Sequence, residues 1–244
     1  MLSISSLRIA LSAERLQAYA TSADVDEFDS IARYQWNLAL GVALQPGLHF
    51  LEICLRNHVF DVSRRIVDES RLKFKAVPCW LDANPSLLEQ NEERAVENAK
   101  AILSEARKPP TVGRLISKLN FGFWLSLCKR PYEQGRASGP ALWPALATEG
   151  FPFMKKELRT RAKIFHQLDQ IRVIRNRISH HEPIWNRDIR HSQQAALESI
   201  SWMNLGLAKA LAEEASVESV IRTGLGEFRG VAIRHVSVPG KPIV

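Results

Sequence analysis

Nine consecutive residues, Arg175-Asn176-Arg177-Ile178-Ser179-His180-His181-Glu182-Pro183, gather cations, an amide, a hydroxyl, two imidazoles and a carboxylate. Cleaving RNA without a metal needs few parts. A base takes the 2′-hydroxyl proton, an acid protonates the leaving 5′-oxygen, and a cation stabilises the developing phosphorane charge. Histidine suits the first two roles and arginine the third. One active-site histidine suffices if a homodimer brings two copies of the run to one cleft.

Pro183 disfavours helix at Glu182, which sets His180 and His181 at or just beyond a helix C-terminus. The partial negative charge of a helix end favours a protonated imidazole. Arg175 falls on the edge of an apolar face, one turn from Ile171 and Ile178. That position shields its guanidinium in part and makes it a strong bidentate partner for phosphate. The same run also fits a plain helix cap, with imidazoles bonding the last carbonyls and Arg175 paired to a neighbouring acid. Spacing alone leaves both readings open.

The elements that would position this run read as helices, so the expected fold class is all-α. Asp24 with Glu27, and Ser86 with Glu89, have capping-box spacing. A polar helix follows Ser86 and ends before Lys108-Pro109-Pro110. Residues 31–65 read as helix, a break at Pro46-Gly47, then helix striped by Leu48, Leu51, Leu55, Val59 and Val62. A helix is expected over 111–128 with Leu115, Leu119 and Trp124 inward, a loop over 131–152, and a helix over 153–179. Ala196, Ile200, Met203, Leu207 and Leu211 stripe a last helix. Beyond Thr223 the alternation Val231, Ile233, Val236, Val238 suggests a short strand or a tail. The economical organisation is one domain over 1–244, with an N-terminal helical lobe at about 1–107, a core at about 111–215 and a tail over 223–244.

Composition narrows the class. The chain has 244 residues, 45% of them hydrophobic and 24% charged, which is an ordinary globular balance. No uninterrupted apolar run approaches the roughly 18 residues of a bilayer span, and residues 1–8 lack the pattern of a signal peptide, so a soluble protein away from membranes is expected. Cys54, Cys79 and Cys128 are unclustered, as suits structural thiols in a reducing compartment such as the cytoplasm. The net charge of +7 permits a polyanionic partner without demanding one.

The chemistry-bearing run resembles the R-x₄₋₆-H motif of the Abi-like (abortive infection) proteins, a branch of the HEPN superfamily of helical nucleases. Arg175 to Trp185 matches it, with Asn176 in the polar position after the arginine. Arg33-Tyr34-Gln35-Trp36-Asn37, Leu51 to Asn57, Gly113 to Trp124 and Leu142-Trp143-Pro144 resemble further segments of that family, so the resemblance covers roughly 30–210. It implies a HEPN-like helical bundle with additional N-terminal helices. It further implies a homodimeric, metal-independent and cofactor-free endoribonuclease toxin that cuts transfer or messenger RNA, with an antitoxin or regulator as a further partner. Carried over by position, Arg175 would hold the scissile phosphate, His180 would act as base or acid, Asn176 would orient the pair, and His181 is a second imidazole in reach. Some HEPN toxins are silenced through a tyrosine two residues after the catalytic histidine; here that position is Glu182, which makes silencing by nucleotidylation there doubtful.

Other features have two readings each. Arg172, Arg177 and Arg187, with Arg159, Arg161 and Arg190, either track an RNA backbone or form a solvated basic face. Phe121, Phe123 and Trp124 either stack on bases or fill a core. Tyr34 and Trp36 read as core. Arg56-Asn57-His58 echoes the motif and either pairs structurally with Glu52 one turn upstream or contributes to the active-site cleft. Two rival functions stand beside the nuclease. One is a metal-dependent hydrolase using His180, His181, Glu182, Asp188 and His191, although Trp185 breaks the H-E-x-x-H pattern. The other is a noncatalytic RNA- or protein-binding module.

Overall fold

The computed structural model describes residues 2–3, 9–21, 26–134, 141–214 and 217–237. Within them the chain is all-α. In chain order the elements are β1 (Leu2–Ser3), α1 (Ala13–Gln17), α2 (Glu27–Ile66), β2 (Lys73–Phe74), β3 (Ala83–Asn84), α3 (Gln90–Glu105), α4 (Val112–Ser117) and α5 (Phe121–Ser126). They continue with α6 (Arg161–Ser179), α7 (Ile189–Ser201), α8 (Leu205–Glu213), α9 (Val217–His235) and β4 (Val236–Ser237). The strands form two minimal pairs, β1 parallel to β4 and β2 antiparallel to β3.

The break expected at Pro46-Gly47 does not occur: α2 runs through Pro46 for 40 residues. A proline inside a helix costs about 3 kcal/mol. Leu40, Leu44, Leu48, Leu51 and Leu55 stay in helical phase across it and are all buried, and each contributes roughly 1.5–3 kcal/mol. Packing outweighs the proline. By length and composition α2 is also long and apolar enough to cross a bilayer, although polar residues interrupt its apolar runs, and a buried core helix has the same character.

Other boundaries moved for local reasons. The 111–128 helix is two, because Asn120 caps a new start by accepting from the Phe123 amide at 3.0 Å. Leu115, Leu119 and Trp124 are nonetheless buried as expected. The last stripe is likewise divided between α7 and α8, with Asn204 accepting from the Leu207 amide at 2.9 Å. Ser86 caps no helix; its hydroxyl takes the Leu88 amide, and α3 starts after Glu89. α6 begins at Arg161 rather than Phe153, after a single tight turn at Lys156–Leu158. Residues 223–235 are helical, with a kink where Gly224 adopts φ 65°, and only Val236–Ser237 is strand. The Asp24 cap, the end of the alternation at Val238 and part of the loop at 135–140 lie outside the described residues.

The chain divides into two compact units. The first holds Met1–Gly47, Val173–Gln194 and Leu211–Val244; the second holds Leu48–Arg172 and Ala195–Ala210. The second has an aromatic core. Phe60 stacks on Trp80 with centroids 6.3 Å apart and meets Trp124 edge-on, while Phe151 lies between Trp143 and Trp202. Asp82, fully buried in this unit, accepts the Ala76 and Val77 amides at 2.7 Å each and Lys100 Nζ at 2.6 Å. The first unit carries the Arg175–Pro183 run.

Candidate functional site

α6 ends at Ser179, so His180 and His181 follow its last turn directly. The His181 amide donates to the Ile178 carbonyl at 3.1 Å and the Glu182 amide reaches back to Arg177 at 2.8 Å. These paired bonds are those of a left-handed helix cap, which needs a positive φ at its central residue. That residue is His181, at φ 57°. A side chain there costs roughly 1–2 kcal/mol, and neighbouring bonds offset it. Arg15 Nη1 donates to the His181 carbonyl at 2.8 Å, and Arg177 Nε donates to the Pro183 carbonyl at 3.1 Å.

Beyond the cap, Asn37 holds the chain. Its Oδ1, buried, accepts the Ile184 amide at 2.6 Å and the Trp185 amide at 3.0 Å. Arg33 lies over the Trp185 ring at 5.6 Å and donates to the Tyr19 carbonyl. Trp36 Nε1 donates to the Val220 carbonyl, and Tyr34 meets Tyr19 edge-on. The Arg33–Asn37 segment is thus the clamp that fixes the backbone after His181.

His180, His181 and Glu182 are exposed, and Arg175, Asn176 and Arg177 are half-buried. Among the described residues neither imidazole bonds the last helical carbonyls, and the cap is built by backbone amides. Asn176 and His180 are one turn apart on one face. Helical pitch puts Arg175 and His180 roughly 140° apart around the axis and about 7.5 Å apart along it. One copy of the run therefore sets the two groups on different faces.

His181 and Ser179 border a pocket of about 250 Å³ that His180 does not line. Tyr19, Tyr34, Gly41 and Gln45 complete much of its wall. Tyr34 reads from the sequence as core; Tyr19, Gly41 and Gln45 escape notice there, and of these three only Gly41, a poor helix former within an apolar stripe, gives any signal.

Most of the expected basic face is committed internally. Arg172 pairs with Asp169 at 2.8 Å, Arg177 faces Glu182 at 3.6 Å and Arg190 pairs with Glu218 at 2.8 Å. Arg161 bonds Glu133, and Arg159 bonds the Met154 and Pro152 carbonyls. Arg187 is exposed and has no ion pair among the described residues. Phe121, Phe123 and Trp124 are core residues rather than stacking platforms. In the second unit, Arg56 Nε donates to Asn57 Oδ1 and His58 Nδ1 lies 2.9 Å from the Cys54 carbonyl.

Among the described residues, no three His, Cys, Asp or Glu side chains come together as a metal site. Asp188 instead caps α7, accepting the His191 amide at 2.9 Å. The chain matches no family model, no curated protein and no solved structure.

Proposed function

We propose that this chain is a metal-independent endoribonuclease toxin of the abortive-infection, HEPN-like type, acting on RNA as a homodimer in the cytoplasm. The observation that carries the reading is the end of α6. Two exposed imidazoles leave a backbone that is held on both sides, with Asn176 one turn behind His180. Fixed geometry is what general acid–base catalysis requires.

In this reading an imidazole of the His180–His181 pair takes the 2′-hydroxyl proton. The freed oxygen attacks the adjacent phosphorus, and the bond to the 5′-oxygen breaks as an imidazolium protonates it. Arg175 neutralises the equatorial oxygens, Asn176 orients the reacting groups, and exposed Arg187 meets the RNA backbone. Arg172 and Arg177, both tied to carboxylates, serve chiefly to hold α6 and its cap.

The test is the chemistry of RNA ends after expression of wild type and of His180→Ala. Wild type leaves 2′,3′-cyclic phosphates at defined sites, and His180→Ala and Arg175→Ala leave none. Cleavage by either variant at the wild-type rate removes the site assignment, and 3′-hydroxyl products point to a metal-activated water. The separation of Arg175 from His180 around α6 favours a second reading, a noncatalytic RNA- or protein-binding module. Purified dimer that binds RNA and never cuts it selects that one.

A further inference from the structure

We infer that the pocket bordered by His181 receives one unstacked nucleobase of single-stranded RNA beside the cleaved phosphate, an inference that rests on the ribonuclease reading. Its size fits. At about 250 Å³ it lies below the roughly 300–1,000 Å³ of pockets that hold drug-sized ligands.

Its walls also fit. The lining is mostly apolar, with Tyr34, Leu38 and Ile178 in it, and the polar residues Gln45, Ser179, His181 and Glu182 also border it. A flat apolar ring with hydrogen-bonding edges matches that mixture, and unstacked bases are how proteins read RNA sequence. Gly41 keeps the wall open: a Cβ there would have only Ile178 side-chain atoms within 4 Å, the nearer at 3.6 Å.

One further observation marks the pocket as a binding surface. Val42, also bordering the pocket, is an apolar side chain left 71% exposed. Position gives the base its meaning. Ser179 and His181 belong to the run that holds Asn176 and His180, so a base in the pocket brings its own phosphodiester to the imidazoles.

The experiment titrates the full chain with adenosine, guanosine, cytidine and uridine, followed by NMR shifts. Wild type binds at least one of them. Gly41→Leu, which fills the pocket, and Val42→Trp, which covers its exposed edge, each weaken binding by about tenfold or more at an unchanged melting temperature. In RNA-end sequencing both variants lose wild type's base preference beside the cut. If no nucleoside binds, or if both variants bind as wild type does, the pocket assignment is overturned even where RNA is cut. Nucleoside binding that both variants weaken, in a protein that cuts no RNA, keeps the base pocket and removes the ribonuclease reading alone.

Discussion

The Asn37 side-chain oxygen holds the Ile184 amide at 2.6 Å, across 147 positions of sequence. With the Trp185 amide on the same oxygen, one buried acceptor satisfies two backbone donors just past the His180–His181 pair. Removing it leaves those amides unmet, at about 1–3 kcal/mol. Asn37→Ala is expected to lower the urea midpoint accordingly, and Asn37→Asp, which keeps the acceptor, to lower it less. Equal losses in the two variants would show that volume rather than hydrogen bonding matters at this position.

His181 separates stability from chemistry. Its φ of 57° is one that glycine adopts freely. His181→Gly is therefore expected to be neutral or stabilising by about 1 kcal/mol, and more stable than His181→Ala. Thermal denaturation of both variants checks the order. If His181→Gly keeps full stability and loses RNA cleavage, the imidazole acts in the reaction; if cleavage survives, His180 carries it alone.

The helices were legible because their apolar spacing is a local property, and the end of α6 because Pro183 acts on its own neighbour. Boundaries were less so. Pro46 is a strong local signal that buried leucines on both sides of it override, while Asn120 and Asn204 are modest signals that win because each meets an orphan amide. Within the site, the run Arg175–His181 was visible as chemistry. Of its supports, the Arg33–Asn37 segment stood out only by resemblance, and Arg15 not at all, since Arg15 and the His181 carbonyl lie 166 positions apart and nothing local marks their bond. The left-handed turn at His181 escaped for a related reason: a histidine there gives none of the warning that a glycine would.

Alkaline pH offers a test of the second unit's core. Burial pushes the Cys79 thiol up to about 11 and the Cys128 thiol to about 12, and it raises the Tyr132 phenol as well. Unfolded cysteines ionise near about 8.5. Between those values the unfolded chain has released protons that the native chain retains, so stability falls as pH rises. The contribution of these groups is complete below the unfolded values and is lost as pH climbs through the native ones. Urea midpoints are expected to drop from pH 9 to 11, with a shallower drop in Cys79→Ala/Cys128→Ala. Identical slopes in wild type and the double variant would show that the thiols do not drive the loss.

The roughly 140° between Arg175 and His180 around α6 makes a specific demand on the nuclease. If the working site combines Arg175 of one chain with His180 of another, two dead variants complement each other. Arg175→Ala mixed with His180→Ala forms about half of its dimers as hybrids, each with one intact site, so about a quarter of wild-type activity returns. If both groups act from the same chain, each hybrid chain lacks one of them and the mixture stays inactive. Cleavage of a labelled single-stranded RNA, measured after co-refolding the variants at equal concentration, distinguishes the two. Recovery with the expected dependence on mixing ratio supports a shared site. No recovery, with hybrid dimers verified by mass, rules sharing out and leaves the reach of the Arg175 side chain to close the gap within one chain.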